Sequence, residues 1–167
     1  MKPTPTMLLL IAASGGGKDT FLKSLDIPTG TLYTTDAFFT NKRTGEYNFQ
    51  IEHIEKAHNW CFKEALMGMM VREEYIVINN TNTSMYEVGG YIRNAEAFGY
   101  NIDIVYLRCD PAVAFERNVH GTPQDAVLAQ SQRAQTLYRE LCFLKRAMHK
   151  DHWTIREIDT NPTPVAA

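Results

Sequence analysis

The chain is poor in cysteine, in long apolar runs and in net charge. Its three cysteines, Cys61, Cys109 and Cys142, stand far apart. None forms a C-x-x-C pair or sits at ligand spacing from a histidine, which argues for a reducing compartment and against structural zinc. The longest apolar run falls well short of a bilayer span, so no membrane partner is expected. A net charge of −2 excludes a uniformly basic surface that grips nucleic acid unselectively, though not a local basic groove. Internal repeats and low-complexity tracts are also missing, which excludes a solenoid or an array. What remains is an ordinary globular composition, 44% hydrophobic and 22% charged, in 167 residues that can bury a sizeable core.

The most informative stretch is Met7 to Leu25, MLLLIAASGGGKDTFLKSL. It reads as a buried strand, a glycine turn and a helix that opens at Lys18. The apolar run runs directly into the glycines, so it is read as a strand and not as the core of a signal peptide. Gly15, Gly16 and Gly17 let the backbone curl until several N–H groups face one anion. The helix adds the positive end of its dipole, and Lys18 a full charge for the outer phosphates. Against the pattern G-x-x-x-x-G-K-[ST], Gly17 and Lys18 match. Ala12 stands at the first glycine position, Asp19 at the hydroxyl position, and Thr20 one place late. Nucleotide phosphate binding is the expectation for Ser14 to Thr20.

Strands and helices alternate beyond this point. TLYTT (31–35) reads as a strand running into Asp36, and 37–50 as a loop with aromatic and basic residues. Residues 51–72 repeat apolar side chains at helical steps. EYIVIN (74–79) is a buried strand. Ser84 and Glu87 form a capping box for a helix that Gly99 ends. NIDIVYL (101–107) is a strand, Asp110-Pro111 opens a helix, and 118–123 breaks the pattern. A polar helix over 124–150 and a strand over 152–158 follow. This order predicts an α/β fold, a parallel β-sheet with helices on both faces. Ligands on such sheets sit beyond the carboxyl ends of the strands. The glycine loop, Asp36 and the polar run Asn79–Asn82 should therefore meet in one crevice.

Each candidate has a plainer reading beside it. Asp19 is either a magnesium ligand or a favourable charge at a helix start, and Thr20 offers a hydroxyl instead. Asp36 is either a base for an acceptor hydroxyl or a turn residue. Arg43, in a loop with Phe38, Phe39, Tyr47 and Phe49, is a candidate for a substrate phosphate. Asn80 and Thr81 are candidates for substrate contact, against simple turn chemistry. Arg117, at a helix end before a Gly/Pro turn, is a candidate to close over a triphosphate.

In order and spacing, SGGGKDT, YTTDAFF, GEYNF, VINNTNT and ERNVHGTP resemble the P-loop kinases related to polynucleotide 5′-hydroxyl kinase. That group includes bacteriophage enzymes and kinase domains of animal relatives. The resemblance covers Leu8 to Arg133. It implies a single P-loop kinase domain over 1–159 with a lid around 117–130; the Pro- and Thr-containing tail over 160–167 is expected to be disordered on its own composition. It implies ATP and Mg2+ as cofactors, and a nucleic acid (DNA or RNA) or nucleotide substrate in the cytoplasm, the host's if the chain is phage-encoded. Lys18 would match the phosphate-loop lysine, Asp36 the general base, Thr81 a substrate-side residue and Arg117 the lid arginine. The family usually has Ser or Thr at Asp19, often a second Asp at Ala37, and often Asp at Asn79. Some phage relatives phosphorylate a hydroxymethylated base in DNA modification, so the acceptor stays open among a polynucleotide 5′-hydroxyl, such a base, and a free nucleoside or nucleotide. A nucleotide-binding regulator is the reading without catalysis.

Overall fold

The computed structural model describes residues 3–28 and 30–163. Its centre is β1, Thr6–Ile11, in which Met7 to Ile11 have no solvent exposure at all. Alternate side chains serve opposite faces of the sheet. Met7, Leu9 and Ile11 join one core with Ile76, Tyr91, Ile104 and Leu137. Leu8 and Leu10 join a second with Val77, Val105 and Leu107. Burial on both faces is why this strand is uniformly apolar and does not alternate with polar residues.

The chain then forms α1 (Lys18–Lys23), β2 (Leu32–Tyr33), α2 (Asp36–Phe39), a 3-10 turn (Ile51–His53) and α3 (Ile54–Met70). There follow β3 (Tyr75–Ile78), α4 (Met85–Ala97), β4 (Asn101–Arg108), α5 (Pro111–Arg117), α6 (Gln124–Ala147) and β5 (Trp153–Asp159). The five strands run in the order β2-β3-β1-β4-β5, and every pairing is parallel. From β1 the chain turns to one side of the sheet, and after β3 it crosses to the other. That reversal beside β1 is where a doubly wound sheet opens a ligand crevice. Helices α3, α4 and α6 bring Ala65, Val88 and Leu137 to the first core. Phe21 and Leu22 of α1 pack on the second.

Several boundaries differ from the sequence reading. β2 is only two residues long, because it is an edge strand paired on one side with β3. Asp36 consequently opens a short helix and does not end a strand. The stretch 37–50 is not all loop, since Thr40 and Tyr47 form an antiparallel bridge. The helix expected over 51–72 starts with a 3-10 turn and stops at Met70, before Arg72 takes a φ of 58°. The polar helix stops at Ala147, with His149 at a φ of 49°. The capping box at α4 forms, but Glu87 reaches one residue further back than expected. It accepts from the Thr83 N–H (2.9 Å) and the Ser84 hydroxyl (2.8 Å). Two residues assigned to the disordered tail, Thr160 and Asn161, are tied into the fold. The Thr160 N–H donates to the Arg108 carbonyl (2.9 Å), and Asn161 Oδ1 accepts from the Asp110 N–H (2.7 Å). Residues 164–167 of that tail lie outside the described residues.

Candidate active site

The glycine loop is held from four directions. The Ala12 N–H donates to the Thr81 carbonyl (3.0 Å), and the Gly16 N–H to Ala13 (3.0 Å). The Ser14 N–H donates to Gln130 Oε1 on α6 (2.9 Å), and the Thr160 hydroxyl donates to the Gly16 carbonyl (3.1 Å). Gly15 has a φ of 75°, and a Cβ placed there would stand 1.9 Å from the Ala114 carbonyl oxygen of α5. No side chain fits at that point. Gly17, with a φ of 93°, turns the chain into α1. The first N–H groups of α1 have no partner within the helix.

A cleft of about 790 Å³ opens over this loop. It is lined by Ser14 to Thr20, Asp36, Asn79, Asn80, Thr81 and Arg117, with Val119, His120 and residues 158–161 completing the wall. The three clusters expected to converge do so. Lys18 is largely removed from water, which lowers its ammonium pKa, while the charges of Asp19 and Asp36 pull it back up. A lysine largely stripped of water and without an ion pair among the described residues is suited to receive an anion. Asp19 and Thr20 are exposed on the first turn of α1.

Asp36 is exposed at the start of α2, and its carboxylate does not cap the helix. Its partner is a residue the sequence reading left among the loop aromatics: the Tyr47 hydroxyl donates to Asp36 Oδ1 at 3.2 Å. Burial, and then the Asp36 charge and hydrogen bond, push the Tyr47 phenol up to about 12.

Asn80 corrects an expectation. It is buried, its Oδ1 accepts from the Thr35 N–H (2.8 Å) and its Nδ2 contacts the Cys61 sulfur (3.6 Å). Both ends of the amide are thus engaged in joining the β2–α2 junction to α3. Asn80 lines the cleft, but its amide serves first to position the entry to Asp36. Thr81 stays available: its carbonyl holds Ala12, and its hydroxyl bonds no protein group among the described residues. Asn79 Oδ1 is buried without a hydrogen-bond partner in the protein. Arg117 sits at the rim with Nη1 donating to the Thr160 carbonyl (2.8 Å). Arg43 does not line the cleft; it is exposed on the 41–45 turn, whose Asn41 Oδ1 accepts from its N–H (2.9 Å).

Gln130 and Thr160 escaped sequence reasoning because they act across 116 and 144 residues. Nothing local marks a glutamine in a polar helix as a loop anchor. The signal for Tyr47 was its place in GEYNF, without an assigned role.

This architecture is that of a P-loop kinase: a parallel sheet with a glycine loop and lysine after its central strand. The AAA domain family (AAA_33) matches residues 7–141, and the chain belongs to that family. Human NEDD4-binding protein 2 is 24% identical over an aligned stretch of 135 residues that covers 77% of this chain and 8% of that protein. In the Pnkp1/Rnl/Hen1 RNA repair complex, one chain superposes with a TM-score of 0.64 at 15% identity, covering 84% of this chain and 47% of that one. A second Pnkp1/Rnl/Hen1 structure gives a TM-score of 0.56 at 18% identity, covering 74% of this chain and 42% of that one. The chain therefore spans less than half of these relatives. Among the described residues no helix is long and apolar enough to cross a membrane.

Proposed function

We propose that this protein is an ATP-dependent kinase that transfers the γ-phosphoryl group to a hydroxyl of a nucleic acid, foremost a polynucleotide 5′-hydroxyl. The observation that carries this is the placement of Lys18 and Asp36 in one cleft over the glycine loop. The loop N–H groups and Lys18 hold the β- and γ-phosphates. The acceptor oxygen gives its proton to Asp36 and attacks the γ-phosphorus. The bond from that phosphorus to the oxygen of the leaving ADP breaks. Arg117, released from Thr160, offsets the charge that develops.

The donor set fits a hard divalent cation shared with phosphates: the Asp19 carboxylate, the Thr20 hydroxyl and the orphaned Asn79 Oδ1. Among the described residues no three His, Cys, Asp or Glu side chains gather into a metal site, so phosphate and water oxygens would complete the shell. Mg2+ would be held by Asp19 or Thr20 and would supply charge neutralisation. Thr81 contacts the acceptor, and Arg43 a phosphate further along a strand. The likeness in fold to chains of an RNA repair complex supports a nucleic-acid acceptor.

The test is a panel of acceptors with labelled ATP: 5′-hydroxyl DNA and RNA oligonucleotides, hydroxymethyluracil DNA and free nucleotides. Label on the oligonucleotide 5′ ends, with affinity that falls as salt rises, is the expected result. Asp36→Asn should lower transfer by roughly 10²–10⁴-fold and spare ATP binding. Label on the modified base or on free nucleotides replaces the acceptor. ATP binding with no labelled acceptor makes the protein a nucleotide-binding regulator.

A further inference from the structure

We infer that Tyr47 is a positioning residue for Asp36, its hydroxyl holding one carboxylate oxygen so that the other meets the acceptor hydroxyl. This rests on Asp36 being the base.

The chain goes to some length to bring Tyr47 to this place. After α2 it turns back on itself: the Asn41 N–H donates to the Glu46 carbonyl (2.9 Å), and the Asn48 N–H to Phe39 (2.9 Å). The Thr40–Tyr47 bridge sets the register of the returning leg. That register lays the Tyr47 ring beside Phe39, with centroids 6.4 Å apart, and beside His120 of the 118–123 segment, 6.2 Å apart. The ring is thus flanked by the acceptor-side helix and by the wall of the cleft. Only its hydroxyl reaches Asp36, at Oδ1.

A carboxylate offers about four acceptor positions on two oxygens. Among the described residues Asp36 Oδ2 has no hydrogen bond and no ion pair. An exposed aspartate with no partner at either oxygen would rotate freely, and a base that rotates spends little time aligned with its proton. The tyrosine removes that freedom without a positive charge. A phenol is a proton donor across the neutral range, and the hydrogen bond to Asp36 keeps it so.

The test is Tyr47→Phe, which keeps the ring and deletes the hydroxyl of a residue that is 43% exposed, so folding is not at risk. Steady-state kinetics are run with ATP and the acceptor that the wild type labels, beside Asp36→Asn. The expected result is a kcat about tenfold lower with KM for ATP and for acceptor within about twofold, the signature of a loss confined to the transition state. Unchanged kcat overturns the inference. So does a raised acceptor KM at unchanged kcat, which would place the hydroxyl on substrate. Full transfer by Asp36→Asn removes the base assignment itself, and no transfer by the wild type to any acceptor removes the kinase reading. These last two outcomes are distinct from a failure of Tyr47 alone.

Discussion

The two sides of the cleft, which the proposed function gives to the phosphates and to the acceptor, are built in opposite ways. The phosphate side is rooted in the core and held by the rest of the molecule: Ala12, Ala13 and Gly16 are buried, and α5, α6, the β3–α4 turn and the end of β5 each touch the loop. The acceptor side is exposed from Asn41 to Phe49 and held mostly by itself. Asn41 accepts from Arg43 and Thr44 two and three residues on, and Tyr47 reaches Asp36 from eleven residues away. A phosphate chain has one shape, so its cradle can be made rigid from backbone. An acceptor differs in size and flank, so its side is a surface turn whose geometry rests on a few side chains.

Replacing Lys18 gives the largest expected effect and sharpens this contrast. Lys18→Met should lower transfer by roughly 10²–10³-fold and weaken ATP binding with it, whereas Asp36→Asn spares binding. Equal ATP affinity in both variants, read by calorimetry, would erase the distinction between the two sides. Because burial lowers the Lys18 pKa, its charged form is less favourable in the folded protein than in the unfolded chain. That cost is fully present below the lowered pKa and fades as pH rises from there through the ordinary lysine range. The ligand-free thermal midpoint of Lys18→Met should therefore not fall, and a clear drop would show that Lys18 stabilises the fold.

Gly15→Ala tests the claim that the phosphate side is built from backbone. Its methyl group would meet the Ala114 carbonyl at 1.9 Å, and the positive φ adds strain. A loss of about 2–4 kcal/mol in denaturant unfolding is expected, with weakened ATP binding. Wild-type stability and affinity would mean that the loop is not clasped by α5.

Gln130→Ala is the mildest. It leaves the Ser14 N–H without its partner in a part-buried site and should cost about 1 kcal/mol, near 2–4 °C in thermal midpoint. The KM for ATP should rise a few-fold with the acceptor KM unchanged. A change in acceptor KM instead would show that α6 serves both sides.

What could be read from residues alone lay in local patterns. The run MLLLI followed by three glycines and a lysine can be little other than a buried strand, an open turn and a helix start, because each step rests on side-chain size and backbone freedom within a few residues. The alternation that follows dictated a parallel sheet, and a parallel sheet dictated that its carboxyl ends share a crevice. Hence Lys18, Asp36 and Thr81 could be placed in one site before any coordinates, while Arg117 could be expected there only as a lid residue. The tertiary structure decided what those residues lean on. Whether Asn80 faces a substrate or a backbone N–H, whether Thr160 is tail or clasp, and which tyrosine holds Asp36 all depend on hydrogen bonds. Most of these span tens of residues or more, and the exception, Tyr47 to Asp36, depends on a turn register that propensity does not encode. Such contacts exist only once two separated segments are packed, so no local rule of sequence can announce them.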